Sequence, residues 1–172
     1  DRTTYGSMSE TVTSDDDFIE NSQFASVVTI IYNGTTAAVS NGVSGVEVSS
    51  NGAHVVVNFT VSGVEYVLSG TTTNGSFKVY SEKKFKLSLA GVSILNPVGA
   101  AINIQSSKRV FVVCADETTN VLTDGSSYTA TTDGEDMKAC LFSEGQLIFS
   151  GGGSLTAVSY THLRAHETKA NL

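Results

Sequence analysis

The 172-residue sequence is poor in charge, proline, tryptophan and cysteine. Charged residues make up 16% of the chain, and it contains one proline, two cysteines and no tryptophan; a typical globular protein is about 25% charged. No stretch approaches the roughly 20 consecutive apolar residues of a membrane-spanning helix. No block of lysine and arginine indicates nucleic acid binding, and no heptad repeat indicates a coiled coil. We therefore expect neither membrane insertion nor a nucleic acid partner.

The sequence is rich in residues that favour strands and turns. Many threonines, serines and valines accompany 16 glycines, which is typical of short strands joined by tight turns. The net charge of −7 disfavours a polyanion as a general partner but leaves room for a local basic patch. The sequence predicts an all-β protein.

Isolated cysteines and a lone histidine offer no catalytic or metal-binding arrangement. Cys114 and Cys140 are too few for a disulfide framework and lack metal-ligand spacing, so we expect buried thiols that do not pair. His54 has no acid or nucleophile near it in sequence. We expect a surface or half-buried strand histidine and not a catalytic base.

The two ends of the chain differ from its middle. Residues 1–16 are acidic with almost no apolar periodicity, as in a flexible leader, and residues 17–157 are expected to form one domain. Residues 158–172, VSYTHLRAHETKANL, are the only helix-compatible stretch and resemble the translated read-through of a sequencing adapter. On that resemblance, residues such as His162 and His166 have no biological function. The alternative is a frayed C-terminal helix.

An internal repeat sets the expected architecture. Residues 76–89 align on residues 101–114 without a gap, and we call the constant shift between these two segments the repeat shift. The apolar pairs in this alignment are Phe77 with Ile102, Val79 with Ile104, Phe85 with Val110, Leu87 with Val112 and Leu89 with Cys114. A third copy in residues 139–151 aligns Cys140 with Ile102, Phe142 with Ile104, Leu147 with Val110 and Phe149 with Val112.

Alternating apolar residues that superpose from copy to copy predict a parallel β-helix, in which inward side chains stack about 4.8 Å apart. A β-sandwich is the alternative, but it gives no reason to keep a constant repeat shift. Residues 27–71 are expected to form the first coils or a small antiparallel cap. The Asn-Gly pairs beginning at Asn33, Asn41, Asn51 and Asn74 are interpreted as corners of the helix.

Several segments resemble a known family. LTDGSSY at residues 122–128, DGEDMKAC at 133–140 and the three glycines at 151–153 are similar to bacterial carbohydrate-binding domains that form a right-handed, pectate-lyase-like parallel β-helix. The resemblance covers roughly residues 17–157. It implies a secreted or cell-surface protein that binds cell-wall polysaccharides, including acidic ones, with bound calcium and without catalysis. The family domain runs several coils further, so we expect a helix truncated at its C-terminal end.

Basic residues cluster where the two strands of each repeat meet. Lys83, Lys84 and Lys86 lie close together, and the repeat shift places Lys108 over Lys83 and Arg109 over Lys84. We expect all five to form one basic cluster, and we call the four stacked residues the basic ladder. Like charges about 5 Å apart repel by roughly 0.8 kcal/mol even in bulk water. A polymer with repeating carboxylates would relieve this repulsion; the alternative is long side chains that splay into solvent.

Two outward residues beside the basic ladder, Tyr80 and Gln105, occupy equivalent positions in the repeat. We expect them to stack on a sugar ring or to form hydrogen bonds with it.

Carboxylates cluster further along the chain, where calcium is the expected bound ion. Calcium takes six to eight oxygen ligands from carboxylates and loop carbonyls. The candidate ligands are Asp116, Asp124, Asp133, Glu135 and Asp136. Solvated loop carboxylates are the alternative.

These features favour a non-catalytic module that binds polysaccharides, including uronate-containing ones, outside the cell or on its surface. One alternative is a calcium-dependent polysaccharide lyase, which needs a basic residue and calcium ligands at one place. A second alternative is a structural or adhesin stalk without glycan specificity.

Overall fold

A computed structural model describes residues 23–125 and 140–159, together with the backbone of 166–171. These residues form fourteen strands, which confirms the all-β prediction, and none of them lies in a helix able to cross a membrane. The strands are β1 (Ser26–Asn33), β2 (Thr36–Asn41), β3 (Val46–Asn51), β4 (Ala53–Phe59), β5 (Val64–Thr72), β6 (Gly75–Ser81), β7 (Phe85–Asn96), β8 (Ile102–Gln105), β9 (Val110–Cys114), β10 (Thr119–Asp124), β11 (Leu141–Ser143), β12 (Leu147–Ser150), β13 (Ser154–Ser159) and β14 (His166–Asn171).

The described strands form two mixed sheets. The five-stranded sheet has the order β11-β8-β6-β4-β3, and the nine-stranded sheet has the order β14-β13-β10-β7-β5-β1-β2, with β9 pairing with β7 and β12 with β9. Antiparallel pairs join β1 to β2, β3 to β4 and β13 to β14, while the other pairs are parallel. Four successive segments, β4–β5, β6–β7, β8–β10 and β11–β13, each pass through the five-stranded sheet and then the nine-stranded sheet.

The predicted repeat shift is confirmed. Phe77 pairs with Ile102 where β6 meets β8, and Phe85 pairs with Val110 where β7 meets β9. All the apolar residues paired in the first alignment are buried. Each inward side chain contributes roughly 1.5 to 3 kcal/mol when it is fully buried, so the repeated alternation determines how these segments stack.

The predicted alignment of the third copy is wrong by one residue in its first strand. Leu141, and not Cys140, pairs with Ile102, whereas Leu147 pairs with Val110 as expected. Residues 140–142 are all apolar, and a run without alternation does not distinguish one register from the next. Phe142 is consequently half-buried on the outer face.

The expected antiparallel cap is present, but two Asn-Gly pairs in it are hairpin turns and not corners. Asn33 pairs with Thr36 at the β1–β2 turn, and Asn51 pairs with His54 at the β3–β4 turn. Gly34 and Gly52, which follow the two asparagines, have positive φ angles of 69° and 61°, as the tight turns of hairpins require. A strand leaving such a turn must run antiparallel to the previous one.

The alternative of a frayed C-terminal helix over residues 158–172 is wrong for the part that is described. Residues 166–171 form β14, which pairs antiparallel with β13. The far side of β13 would otherwise present unpaired backbone groups, and a further strand satisfies them. Residues 162 and 164 lie outside the described residues.

Buried apolar residues fill the space between the two sheets. An aromatic cluster contributed by both sheets lies at the centre, with Phe59 and Phe77 from one and Tyr66 and Phe85 from the other, and ring centroids 5.3 to 5.9 Å apart. Next to it, β5 has a bulge at Gly70, where φ is +88° and a Cβ atom would collide with the Tyr32 carbonyl. The rigid interior fixes which residues face outward.

Candidate functional site

The four residues of the basic ladder lie in two adjacent turns, one between β6 and β7 and the other between β8 and β9. The strand pairs on both sides of these turns keep the repeat shift, so Lys83 is stacked with Lys108 and Lys84 with Arg109. Lys83 and Lys108 are exposed, whereas Lys84 and Arg109 are half-buried. The structure therefore brings the predicted basic residues together.

A serine side chain shapes this turn in three successive segments. The Oγ atoms of Ser81, Ser106 and Ser143 accept hydrogen bonds of 2.9, 3.1 and 3.2 Å from the backbone N–H two residues later. That later residue is lysine in the first two turns and Gly145 in the third, where a Cβ atom would collide with the Lys108 carbonyl. The close approach of the backbones leaves no room for a side chain at the third-turn position that corresponds to Lys83 and Lys108.

The expectation that Lys86 joins the same basic cluster is wrong, because Lys86 pairs with a carboxylate on the neighbouring strand. Its Nζ lies 3.6 Å from Oε2 of Glu65 on β5, and the same oxygen accepts a 2.6 Å hydrogen bond from Ser88 Oγ. The charge of Lys86 is balanced on the nine-stranded sheet.

A cleft of about 290 Å³ opens beside the basic ladder, on the outer face of the five-stranded sheet. Tyr80 and Gln105 line it and are direct partners across β6 and β8. Asn58 on β4 pairs with Tyr80 and also lines the cleft, together with Glu82. The predicted sugar-contacting residues therefore belong to one row of side chains that crosses three parallel strands.

A second row lies next to the first on this face. Lys78 and Asn103 are direct partners on β6 and β8, two residues before Tyr80 and Gln105. The Lys78 Nζ is 5.1 Å from the centroid of the Tyr80 ring, and Gln105 Nε2 donates a 2.6 Å hydrogen bond to Asn103 Oδ1. Asn103 is 3% exposed, and its Nδ2 has no hydrogen-bond partner among the described residues.

Sequence reasoning missed three residues of these rows. Lys78 and Asn103 fall on equivalent positions of the repeat, so the alignment already contained the signal for them. The number of residues between Asn58 and its partner Tyr80 is smaller than the repeat shift. The repeat alignment therefore does not pair these two residues.

His54 is a half-buried strand residue, as predicted, but the structure adds two partners that are distant in sequence. Its Nδ1 lies 2.8 Å from Ser76 Oγ and its Nε2 lies 3.0 Å from Asn74 Oδ1. Nucleophilic catalysis by Ser76 would need N–H donors for an oxyanion. Both β4 and β6 pair with neighbours on each side, so the nearby strand N–H groups are engaged in the sheet, which favours a structural role.

The described carboxylates do not form a shared calcium site. Asp116 precedes β10 and Asp124 ends it, and the strand alone separates them by about 16 Å, whereas ligands of one calcium ion lie within about 5 Å of each other. Asp116 Oδ1 instead accepts a 2.8 Å hydrogen bond from the N–H of Gly152 in the next segment. No group of three or more metal-ligating side chains occurs in the parts of the chain that the structure describes.

The remaining predicted calcium ligands, Asp133, Glu135 and Asp136, lie outside the described residues. A calcium site at these residues stays a prediction.

Both cysteines are buried and unpaired, which confirms the prediction. Burial raises the pKa of the Cys114 thiol to about 11, and burial together with the nearby Asp124 carboxylate raises that of the Cys140 thiol to about 12. Both thiols therefore stay protonated at neutral pH in the folded protein.

These pKa values predict that stability falls at alkaline pH. Unfolded thiols ionise near pH 9 while the folded thiols keep their protons, so unfolding releases protons and the free energy of unfolding decreases as the pH rises from about 9 to 11. Urea unfolding at pH 8, 9 and 10 measures the effect, and a variant with both cysteines changed to alanine should show a weaker dependence of stability on pH.

An aromatic disulfide reagent should label neither thiol of the folded protein at pH 8 and both thiols in denaturant. Rapid labelling of the folded chain would contradict the burial of the cysteines.

Comparison with known proteins identifies related carbohydrate-binding domains. Residues 51–163 match the family model described as "Carbohydrate-binding domain-containing protein". A protein of that description from Acetivibrio thermocellus is 39% identical over 95 residues, which cover 53% of this chain and 33% of the relative. The chain thus spans about a third of that relative.

A solved structure also resembles this chain. It is described as "Structure of the polysaccharide lyase-like protein from C. thermocellum, Gadolinium derivative" and has a TM-score of 0.63 and 31% sequence identity. The match covers 74% of this chain and 50% of that chain.

Proposed function

The chain belongs to the family of carbohydrate-binding domain-containing proteins, and on that premise we propose that it is a non-catalytic module that binds cell-wall polysaccharide. The observation that carries the proposal is the basic ladder, stacked over two turns beside a cleft with an aromatic side chain. Cations that repeat at the strand spacing of about 4.8 Å match a polymer that carries carboxylates at regular intervals. The ligand class that fits is therefore an acidic, uronate-containing polysaccharide.

The fold that we propose for this module is a right-handed parallel β-helix. Its support is the passage of four successive segments through the same two sheets, with parallel pairing from each segment to the next. The antiparallel β2, β3 and β14 lie at the outer edges of the sheets, where they cover backbone groups that would otherwise be exposed.

A polysaccharide lyase is the second candidate, favoured by the description of the structural neighbour as lyase-like. It would need a basic residue and a calcium ion at one place. Arg109 precedes β9 and Asp116 follows it, so the strand alone separates them by about 13 Å. The described residues thus support binding better than elimination chemistry.

We also propose that the module works outside the cell or on its surface, where cell-wall polysaccharides occur. Residues 1–16 would be a leader and residues 158–172 would lie outside the natural domain. The family match extends past residue 158. Comparison with the source DNA therefore tests whether the natural sequence departs from this chain after residue 157.

The double variant Lys84→Ala with Arg109→Ala tests the role of the basic ladder. We expect its affinity for polygalacturonate to fall at least about tenfold, or about 1.4 kcal/mol, because two half-buried cations are lost. Affinity electrophoresis of the full chain in gels with polygalacturonate measures the change. Added salt should weaken binding of the wild-type protein in the same assay.

Lys86→Ala is the matched control, because it removes one positive charge from the nine-stranded sheet, where Lys86 pairs with Glu65 outside the basic ladder, and it should retain the wild-type affinity. Unchanged retention of the double variant would disprove the role of the basic ladder while leaving the family assignment intact. Formation of unsaturated sugar products during incubation would instead identify a lyase.

A further inference from the structure

We propose that the outer face of the five-stranded sheet is a polysaccharide-binding surface, in which the glycan crosses the strands and one pyranose ring occupies the cleft beside Tyr80. This inference rests on the proposed function and adds a surface distinct from the basic ladder. Its first support is the register, which places Asn58, Tyr80 and Gln105 side by side on three adjacent strands. Neighbouring strands are about 4.8 Å apart, so this row offers a contact at every strand to a chain that runs across it.

The second support is a buried amide that lacks a partner. The residue Asn103 is 3% exposed, and its Nδ2 has no hydrogen-bond partner among the described residues. A buried donor without an acceptor is costly, and native proteins rarely leave one without a reason. The Nδ2 atom is enclosed in the free protein, so a sugar hydroxyl would supply the missing acceptor once the side chains around Asn103 move on binding.

The bond between Gln105 and Asn103 organises the polar groups of this surface. Gln105 Nε2 is turned toward Asn103 Oδ1, at 2.6 Å, so the acceptor oxygen of Gln105 faces the other way. Gln105 lines the cleft with Tyr80 and offers an acceptor, Oε1, while the donor, Asn103 Nδ2, lies in the neighbouring row. A sugar hydroxyl both donates and accepts hydrogen bonds, which fits such a pair.

The aromatic ring is positioned for stacking. The Lys78 ammonium lies 5.1 Å from the centroid of the Tyr80 ring, and Lys78 precedes Tyr80 by two residues on β6, whereas Ser81 and Glu82 of the cleft follow it. The cation lies over the ring, and the tyrosine also lines the cleft. The part of the ring that lines the cleft offers apolar surface to the C–H groups of a pyranose.

The charges around the cleft indicate which part of the glycan enters it. Glu82 lines the cleft and disfavours a second carboxylate there, whereas its own oxygens accept bonds from hydroxyls. The ring in the cleft is therefore recognised through its hydroxyl groups. Carboxylates of an acidic chain would lie toward the basic ladder, on the adjacent turns.

Calorimetric titration of the full chain tests the proposal with two probes, the glucose hexasaccharide of cellulose and the hexasaccharide of polygalacturonate. Wild type and variants are compared with both. Tyr80→Ala should weaken binding of whichever hexasaccharide binds by roughly tenfold. Tyr80→Phe keeps the ring and should bind about as well as wild type, while Thr29→Ala, on the nine-stranded sheet, is the control for an unrelated surface.

A nuclear magnetic resonance measurement adds a readout that does not depend on any variant. The Asn103 side-chain NH₂ signals should shift on addition of the bound hexasaccharide and exchange more slowly with solvent. Those of Asn120, whose amide is fully hydrogen-bonded inside the protein, should stay in place.

The outcomes separate this surface from the general function. If wild type binds a hexasaccharide but Tyr80→Ala binds equally well and the Asn103 signals do not move, the proposed surface is wrong and the proposed function stands. Loss of binding only in the double variant of the basic ladder would overturn the surface in the same way. If wild type binds neither hexasaccharide nor either parent polysaccharide, the function and this surface are both overturned.

Discussion

Replacing Asn120 with alanine is expected to lower the free energy of unfolding by at least about 3 kcal/mol. The side chain is fully buried, and its Oδ1 accepts hydrogen bonds of 2.9 Å from the N–H groups of both Gly91 and Val92. Its Nδ2 donates bonds of 3.1 Å to Thr118 Oγ1 and to the Ser154 carbonyl. One amide thus joins three successive segments of the stack, and its removal leaves buried backbone groups without partners.

Urea unfolding of the full chain, followed by circular dichroism, measures this loss. Asn58→Ala removes an exposed asparagine side chain from a strand and should change stability by no more than about 0.5 kcal/mol. A change below about 1 kcal/mol in Asn120→Ala would show that water or local rearrangement replaces the amide.

Replacing Phe85 with alanine is expected to cost about 3 to 5 kcal/mol. Phe85 is fully buried, and its ring makes edge contacts with Phe59 at 5.3 Å and with Tyr66 at 5.6 Å between centroids. These rings belong to different sheets, so the cavity would open at the centre of the interior, where the rigid stack cannot collapse around it.

Two variants show whether this cost comes from the interior. Phe85→Leu retains most of the apolar volume and should lose only about 1 kcal/mol, chiefly the aromatic contacts. Phe142→Ala removes the same ring from a half-buried outer position and should be less destabilising than Phe85→Ala. Equal losses for the inner and outer phenylalanines would contradict the packing of the aromatic cluster. Thermal and urea unfolding provide the measurement.

Which side chains are buried was predictable wherever apolar and polar residues alternate. The pairs from Phe77 with Ile102 to Leu89 with Cys114 followed from matching alternate positions. The same reasoning failed at residues 140–142, because three consecutive apolar residues carry no alternation. The Asn-Gly pairs at Asn33 and Asn51 were interpreted as corners of the helix, but they form hairpin turns. A positive φ angle at an Asn-Gly pair is compatible with both structures.

The candidate site was predictable in part. The basic ladder and the pair of Tyr80 with Gln105 lie within the repeat, so the stacking of the ladder and the pairing of Tyr80 with Gln105 followed from the sequence. Asn58 joins the same row at an offset smaller than the repeat shift, and that offset depends on the length of the connection between β4 and β6. The unsatisfied amide of Asn103 depends on the packing around it and on the direction in which Gln105 turns.

The sequence by itself determined an all-β chain whose inward residues stack at a constant repeat shift, because side-chain alternation along a strand is local and repeats from copy to copy. Only the tertiary structure decided which outward residues are neighbours across strands, which segments turn back into antiparallel pairs and which carboxylates are too far apart to share an ion. Those distances depend on the lengths and turns of the connections between strands, and alternation within a strand carries no information about them.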